Sequence, residues 1–251
     1  RDQHIRAAPL GDGWWTARLG PLSPGSYTYR IIAGAEEAGP FALEVGCWHQ
    51  AERVAEIQVE DQGVRVDLTS TGGKTATLAF TIPLPGVLRA ELTVGGAVFL
   101  QGLPCRIEQT SDALHLRAQD LEVHLDLVTL ELQVQTPKGS GEYRGSARFR
   151  WLELADGRVT RLQGGFSPQP HEALYGLGER FVGPELRGRR LDVRVYEEYK
   201  EQGERTYLPV PFVVSSVGYG FWLDAEEPSH FDLNGFPYTF TLEKLPATEV
   251  S

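Results

Sequence analysis

The amino-acid sequence predicts an all-β protein: a large antiparallel β-sandwich preceded by part of a smaller β-sandwich-like element. Three observations predict it. Apolar and polar residues alternate through Leu114-His115-Leu116, Leu121-Glu122-Val123-His124-Leu125-Asp126-Leu127 and Leu130-Glu131-Leu132-Gln133-Val134, and again through Phe149-Arg150-Trp151, the period of strands with one buried face. Turn chemistry punctuates the chain at Asp12-Gly13, Gly72-Gly73, Gly95-Gly96, Pro137-Lys138-Gly139, Asp156-Gly157 and Asn234-Gly235, as in hairpins and meanders. Helical spacing is nowhere sustained over the roughly ten to twelve residues a helix needs.

Taken in order, residues 1–45 place aromatics and Pro-Gly turns at sandwich-like intervals in GDGWWTARLGPLSPGSYTYRI. Tyr27, Tyr29 and Ile31 alternate, which predicts one buried sheet face. The segment looks like part of a small carbohydrate-module-like sandwich. About 45 residues is close to the lower limit for independent stability, so it is expected to dock on its neighbour. From residue 46 to 251 strands follow one another without a Ser/Pro-rich linker, and we read this stretch as one large sandwich. Val59, Val64 and Val66 flank a turn at Asp61 to Gly63. Pro209 and Pro211 lack backbone donors and favour an edge or a strand start, after which Phe212, Val213 and Val214 are expected to enter the core. Gly218 and Gly220 close a turn around Tyr219, and Phe221, Trp222 and Leu223 resume a strand.

Composition narrows the function classes. The chain has 251 residues, with 34 Asp and Glu against 24 Lys and Arg and a net charge of −10, which argues against affinity built on neutralising nucleic-acid phosphates. The longest apolar candidate, Leu208 to Leu223, is broken by Pro209, Pro211, Ser215, Ser216, Gly218 and Gly220, so no membrane span is expected. Cys47 and Cys105 allow at most one disulfide and lack a metal-site spacing. They read as two buried free thiols of a reducing, cytoplasmic protein. Secretion stays open, because the sequence contains no Met and so is expected to begin inside a longer gene product. No GxGxxG, phosphate-loop lysine, HExxH or GxSxG occurs, and the hydroxyls of Ser215 and Ser216 are expected to bond backbone. We expect no metal and no organic cofactor.

The stretch ALYGLGERF, Ala173 to Phe181, is followed after a charged insert by TYLPVPFVVSSVGYGFWLD, Thr206 to Asp224. Gly176 and Gly178 permit positive backbone dihedrals or close chain approach, so YGLGE reads as a bent strand that presents Glu179 and Arg180. In this order the two stretches resemble the N-terminal β-sandwich (galactose-mutarotase-like) domain of family 31 glycoside hydrolases, which include α-glucosidases and α-xylosidases. There a tyrosine-glycine-leucine-glycine-glutamate segment precedes a variable loop. A proline-phenylalanine-serine-serine strand and a glycine-tyrosine-glycine turn then lead toward the catalytic barrel. The resemblance covers roughly residues 46–251.

The resemblance implies a non-catalytic N-terminal region of a retaining α-glycosidase, which supports the barrel and lends a loop to the substrate site. Retaining hydrolysis needs two carboxyl groups roughly 5 to 5.5 Å apart. In the resembling family both are barrel aspartates, the nucleophile in a tryptophan-x-aspartate-methionine-asparagine-glutamate type segment that is absent here. No catalytic residue is therefore expected in this chain, and alone it should be inactive. Its implied partners are a carbohydrate, met through the parent enzyme, and a C-terminal catalytic barrel. With the apolar surface that meets the barrel exposed, the chain is expected to self-associate.

The insert between the two stretches, Val182 to Tyr207, is dense in Arg, Glu and Tyr. In the family the equivalent loop reaches over the mouth of the active site. Tyr196 and Tyr199 could stack on a sugar ring, and Arg194, Glu197, Glu198 and Lys200 could bond its hydroxyls; these six are the candidate substrate-binding residues. Many family members carry an aspartate in this loop, a position to which Asp192 does not securely align. Glu179 and Arg180 are candidates for contact with substrate or the catalytic domain. A solvated charged face with local ion pairs is the competing reading.

Two rival functions remain. A self-sufficient aldose epimerase would need a histidine acid and a carboxylate base on the concave sheet, and His115, His124 and His171 keep it in play. The alternation sets His124 on the face of Glu122 and Asp126, which reads as solvent-facing. A carbohydrate-binding module would use Trp14, Trp15, Trp48 and Tyr27, although neighbouring tryptophans on a strand point to opposite faces, so one of Trp14 and Trp15 at most could hold a glycan.

Overall fold

The computed structural model describes residues 8–11, 14–16, 22–33, 36–96, 98–118, 120–136, 139, 141–197, 200 and 203–244, and among them every regular element is a strand. No helix there is long and apolar enough to cross a membrane. The chain divides into two units, residues 1–47 with 153–158, and residues 48–152 with 159–251.

The first unit contains two antiparallel hairpins, β1 (Ala8–Gly11) with β2 (Trp14–Thr16), and β3 (Gly25–Ala33) with β4 (Glu36–Val45). The register of β3 slips between Tyr29 and Ile31, and both Ile31 and Ile32 are exposed. The expected burial of Ile31 is therefore not met; the extra residue of the slip lies in β4, where Gly39 and Pro40 stand opposite Arg30 alone. The turn at Asp12-Gly13 and the side chains of Trp14 and Trp15 lie outside the described residues.

The second unit starts with a meander of β5 (Cys47–Glu60), β6 (Gly63–Ser70), β7 (Thr75–Leu84) and β8 (Val87–Thr93). A second meander follows through β9 (Arg106–Gln109), β10 (Ala113–Ala118), β11 (Leu121–Asp126), β12 (Glu131–Gln135), β13 (Glu142–Glu153) and β14 (Val159–Phe166). Later in the chain come β15 (Leu174–Gly176), β16 (Arg190–Val193), β17 (Phe212–Ser215), β18 (Gly220–Trp222), β19 (Ser229–Asp232) and β20 (Tyr238–Glu243). The second meander continues into the order β14-β20-β19-β16, while β15, β17 and β18 form a separate small sheet. β5 pairs with both β6 and β13, and its pairing with β6 shifts register twice, between Ala51 and Arg53 and between Val54 and Glu56.

Two apolar clusters hold this unit together. In the first, Val64, Val66, Leu68, Leu78, Phe80 and Ile82 of the β6–β7 pair pack with Leu114, Leu116, Val123, Leu125 and Trp151 of the second meander. Leu114, Leu116, Val123 and Leu125 are residues whose alternation predicts the strands, and their intervening neighbours in β10 and β11 stay on the outer face. In the second cluster Phe166, Leu174, Leu177, Leu191, Val213, Phe231 and Phe240 converge beneath the small sheet. Its aromatic rings interlock: Phe221 stacks parallel on Tyr143 at 6.0 Å and meets Phe240 at 5.0 Å, in the offset range such rings favour.

Two expectations about burial change. Val213 enters the core, but Phe212 and Val214 are exposed, because a strand delivers alternate side chains to opposite faces. Cys47 is exposed and Cys105 half-buried rather than both being interior; Cys47 is the first residue of β5, and burial pushes the Cys105 thiol pKa up.

Candidate functional site

The two sequence stretches that stood out, YGLGE and PFVVSSVGYG, are joined edge to edge. β15 pairs antiparallel with β17, Leu174 opposite Ser215 and Gly176 opposite Val213, and β17 pairs with β18, Phe212 opposite Trp222. Beyond β15 the chain turns through three successive positive φ values, 118° at Gly176, 58° at Leu177 and 94° at Gly178. A Cβ on Gly176 would collide with the carbonyl oxygen of Phe212, and one on Gly178 with that of Leu208. Glycine is thus required at both positions for space as well as for dihedral angle. The same turn drives the Leu177 side chain into the second core cluster and aims its N–H at the Phe212 carbonyl, 2.9 Å away.

Directly before this bend lies Glu172, 1% exposed. Its Oε1 accepts hydrogen bonds from Ser215 Oγ at 2.6 Å and from the Tyr219 hydroxyl at 2.5 Å, and its Oε2 accepts from the Gln169 N–H at 2.6 Å. Three donors therefore converge on one buried carboxyl group and tie the start of YGLGE to both ends of SSVGY. Burial, then the hydrogen bond and charge of Glu172, push the Tyr219 pKa well up. Ser215 also accepts from the Val217 N–H and Ser216 from the Ala173 N–H, so both hydroxyls meet backbone as expected. Glu172 escaped the sequence reading because its partners lie 43 and 47 residues away.

The insert grows from this bend, and its neck is tightly bonded. Arg180 donates from Nε to the Leu177 carbonyl at 3.0 Å, from Nη2 to the Asp192 carbonyl at 2.6 Å, and from Nη1 to the Glu204 carbonyl. The Thr206 hydroxyl donates to the Glu179 carbonyl at 2.6 Å, and the Tyr196 N–H to the Thr206 carbonyl at 3.0 Å. Arg180 therefore draws both limbs of the loop together, while Glu179 is exposed beside it.

Within the loop the Tyr196 hydroxyl donates to Asp192 Oδ2 at 2.7 Å, and the Arg205 guanidinium sits 5.1 Å from the centre of the Tyr196 ring. Asp192 Oδ1 meets His230 Nδ1 of β19 at 2.8 Å. Partial burial opposes ionisation of Asp192, but the hydrogen bonds from Tyr196 and His230, with the charges of His230 and Arg194, outweigh it and hold its pKa below the ordinary carboxylate range. The bond to Asp192 raises the Tyr196 pKa in turn. Arg194 reaches Glu243 Oε2 at 3.4 Å, and Glu197 and Lys200 are exposed. Glu198 and Tyr199 lie outside the described residues. Of the candidate loop residues, then, Tyr196 is built into the neck and Arg194 into a surface ion pair, while Glu197 and Lys200 face solvent. His230, 38 residues from Asp192, was not legible in the sequence.

The outer face of the small sheet is apolar. Tyr175 stands opposite Val214 and Phe212 opposite Trp222, and all four are exposed, Trp222 by 64%. Leu208, Val210 and Phe181, the last 72% exposed, lie on the adjoining segments. Elsewhere, a cleft of about 290 Å³ on the outer face of β10–β12 is lined by His115, Arg117, Glu122, His124, Gln133 and Gln135. The Glu122 carboxylate there accepts from Gln135 at 3.3 Å, and the two histidines face each other. His124 is thus half-buried in a cleft rather than plainly solvent-facing, because His115 comes opposite it across the ladder. His171 is exposed at a positive φ of 66°. No group of three or more His, Cys, Asp or Glu side chains gathers as a metal site among the described residues.

Comparison with known proteins gives a consistent set of relatives. The family model described as the glycosyl hydrolase 31 N-terminal galactose mutarotase-like domain matches residues 54–232. The chain is 24% identical over 235 residues to an isomaltosyltransferase of Sporosarcina globispora, covering 88% of this chain and 22% of that protein. It is 42% identical over 96 residues to a 1,3-alpha-isomaltosidase of Kribbella flavida, covering 35% of this chain and 13% of that protein. Among solved structures, the cycloalternan-forming enzyme from Listeria monocytogenes, in complex with a pentasaccharide substrate, superposes with a TM-score of 0.81 and 26% identity over 95% of this chain and 25% of its own. The chain thus spans a quarter or less of the length of each of these relatives.

The buried carboxyl group gives a stability prediction. Glu172→Ala leaves three donors without their acceptor, at about 1–3 kcal/mol for each one buried, so urea unfolding should show a loss of about 3 kcal/mol or more, against about 1 kcal/mol for Ser215→Ala. Equal, small losses would assign the joint to packing alone. Asp192 gives a pH prediction. Its folded pKa is lowered, so its contribution is present above the unfolded value of about 3.9 and is lost as pH falls through the folded value. Between pH 6 and 3 the stability of the chain should fall more steeply than that of Asp192→Asn, as read by denaturant midpoints.

Proposed function

The chain belongs to the glycosyl hydrolase 31 N-terminal galactose mutarotase-like domain family, and from that premise we propose that it is the non-catalytic sandwich of a longer enzyme acting on α-linked glucosides. In that role it buttresses a catalytic domain and extends the Val182–Tyr207 loop over the rim of the substrate site. The observation that carries this reading is the outer face of the β15–β17–β18 sheet. Four large side chains on three paired strands face outward while their neighbours Leu174, Val213 and Ser215 are buried. A contiguous apolar face of this kind marks an interaction surface. It adjoins the pinned neck of the loop, so a domain seated on that face would have the loop at its edge.

The names of the relatives support a substrate class. Two of these relatives are named for isomaltosyl groups, an isomaltosyltransferase and a 1,3-alpha-isomaltosidase, and the cycloalternan-forming enzyme holds a pentasaccharide substrate, so the parent protein is proposed to hydrolyse or transfer isomaltosyl units. Arg194, Tyr196, Glu197, Glu198, Tyr199 and Lys200 remain the loop residues proposed to meet the saccharide. Glu197 and Lys200 are the best placed of those described, since neither is embedded in the neck. Glu179 is proposed to meet the catalytic domain, and Arg180 to act through the loop geometry it fixes. The reducing compartment inferred from the cysteines is retained as part of the proposal.

Two experiments test this. In the isolated chain, gel filtration should show mass rising with concentration, and Trp222→Ser with Phe212→Ser should shift it toward monomer without lowering the unfolding midpoint; a clean monomer at all concentrations argues against a docking face. In the longer protein, Glu197→Ala should lower kcat/KM on isomaltosyl substrates and leave the unfolding midpoint unchanged. Unaltered kinetics would return the loop tip to an ordinary solvated surface.

A further inference from the structure

The cleft on the outer face of β10–β12 has no part in the proposed function, and its chemistry is distinct. β9, β10, β11 and β12 set Glu108, His115, His124 and Gln133 opposite one another in a single row across four strands. The alternate positions Leu114, Leu116, Val123 and Leu125 are buried beneath, which fixes the row on the outside. His115 and His124 turn the same edge toward each other: their Nδ1 atoms are 3.3 Å apart while the ring centres are 4.6 Å apart. We propose that this cross-strand pair is a zinc-binding site, with the two Nδ1 atoms as protein ligands and water completing the coordination.

The spacing is what selects the ion. Two nitrogens bonded to zinc at roughly 2.0–2.1 Å and separated by the tetrahedral angle lie about 3.3 Å apart, whereas at the right angle preferred by copper(II) they lie about 2.9 Å apart. The observed separation equals the tetrahedral value. A direct hydrogen bond between the rings at 3.3 Å is a long one, so an ion displaces a weak contact rather than a strong one. Each imidazole needs its proton on Nε2 to present a lone pair at Nδ1, and Nε2 on an outer sheet face can bond water.

The surroundings permit a cation. Glu108 Oε1 pairs with Arg106 at 2.6 Å and Oε2 with Arg117 at 3.9 Å, and Glu122 stands opposite Arg117 across the ladder. Two carboxylates thus offset two guanidinium groups beside the histidines, and a divalent ion meets no uncompensated positive field. The cleft, at about 290 Å³, has room for several water ligands at about 30 Å³ each. With only two protein ligands the site would exchange its ion readily, unlike the closed four-ligand sites that hold structural zinc.

The test is calorimetric titration of the chain with zinc chloride, beside His115→Ala, His124→Ala and the exposed control His171→Ala. Binding should be lost in each of the first two and kept in the third. Urea unfolding without metal checks that every variant is folded, and His115→Gln serves where alanine disturbs the sheet. Zinc-edge anomalous diffraction should place one ion within bonding distance of both Nδ1 atoms. Absence of zinc binding by the unaltered chain, or binding unchanged in both cleft variants, overturns the proposal and leaves the histidines as a simple hydrogen-bonded pair.

Discussion

Everything distinctive in this protein hangs on a backbone-to-backbone approach that leaves no room for a β-carbon. At Gly176 and Gly178 the chain presses against the carbonyls of Phe212 and Leu208, and three consecutive positive φ values turn it out of the sheet. Three such residues in a row are costly for an L-amino-acid chain, and Leu177 bears that conformation with a side chain attached. The surroundings hold it there: Leu177 is buried in the second core cluster and its N–H is bonded to Phe212. Glu172, just upstream, fixes the other end of the joint with three short hydrogen bonds. The bend converts a strand into the root of a long loop, and Arg180, the first long side chain beyond it, closes the neck by bonding carbonyls on both limbs. A loop so anchored can be long without its base wandering.

The small sheet follows from the same bend and creates an imbalance. A strand with both faces apolar belongs between two layers. β17 has Val213 inward and Phe212 and Val214 outward, with Trp222 and Tyr175 beside them, yet only its inner face is covered by this chain's described residues. The strands β10 to β12 do not share this fault, since their outward rows carry Glu, Arg, His and Gln. The exposed apolar side chains of β15, β17 and β18 are therefore contiguous beside the anchored loop, as expected of a module built to be covered on one side.

How much of this could be read from the sequence depends on the range of the interaction that decides it. The strands of the second meander were legible because their signal is local: Leu121, Val123 and Leu125 alternate with polar residues, and the structure buries those three. The glycines of YGLGE announced a bend, but not which carbonyls they meet, since Leu208 and Phe212 lie some thirty residues on. Glu172 and His230 left no trace at all, because a single polar residue in a strand or turn looks the same whether its partner is water or a side chain forty residues away. Phe212 and Val214 were misassigned for the opposite reason. Hydrophobicity indicates burial in some interface, and in the described residues that interface is absent. Tyr196 reads in the sequence as an aromatic that could stack on a sugar ring, but its bond to Asp192 and the Arg205 guanidinium at its ring are set by the fold and leave no local sign.

The fold alone does not decide between a scaffold and an enzyme, since one sandwich can carry either. Chemistry at a site decides it. An epimerase needs an acid and a base converging on one sugar carbon. On the outer face of β10–β12 the structure offers two imidazoles facing each other, with the neighbouring carboxylates matched to arginines and to Gln135. The histidine that does meet a carboxylate is His230, and its partner Asp192 is engaged by Tyr196 as well, so that pair braces the loop instead of opening onto a cleft of its own. These two histidine pairings are thus committed to holding the loop or to each other. What these residues build is position: a neck that holds a loop at a fixed place beside an apolar face.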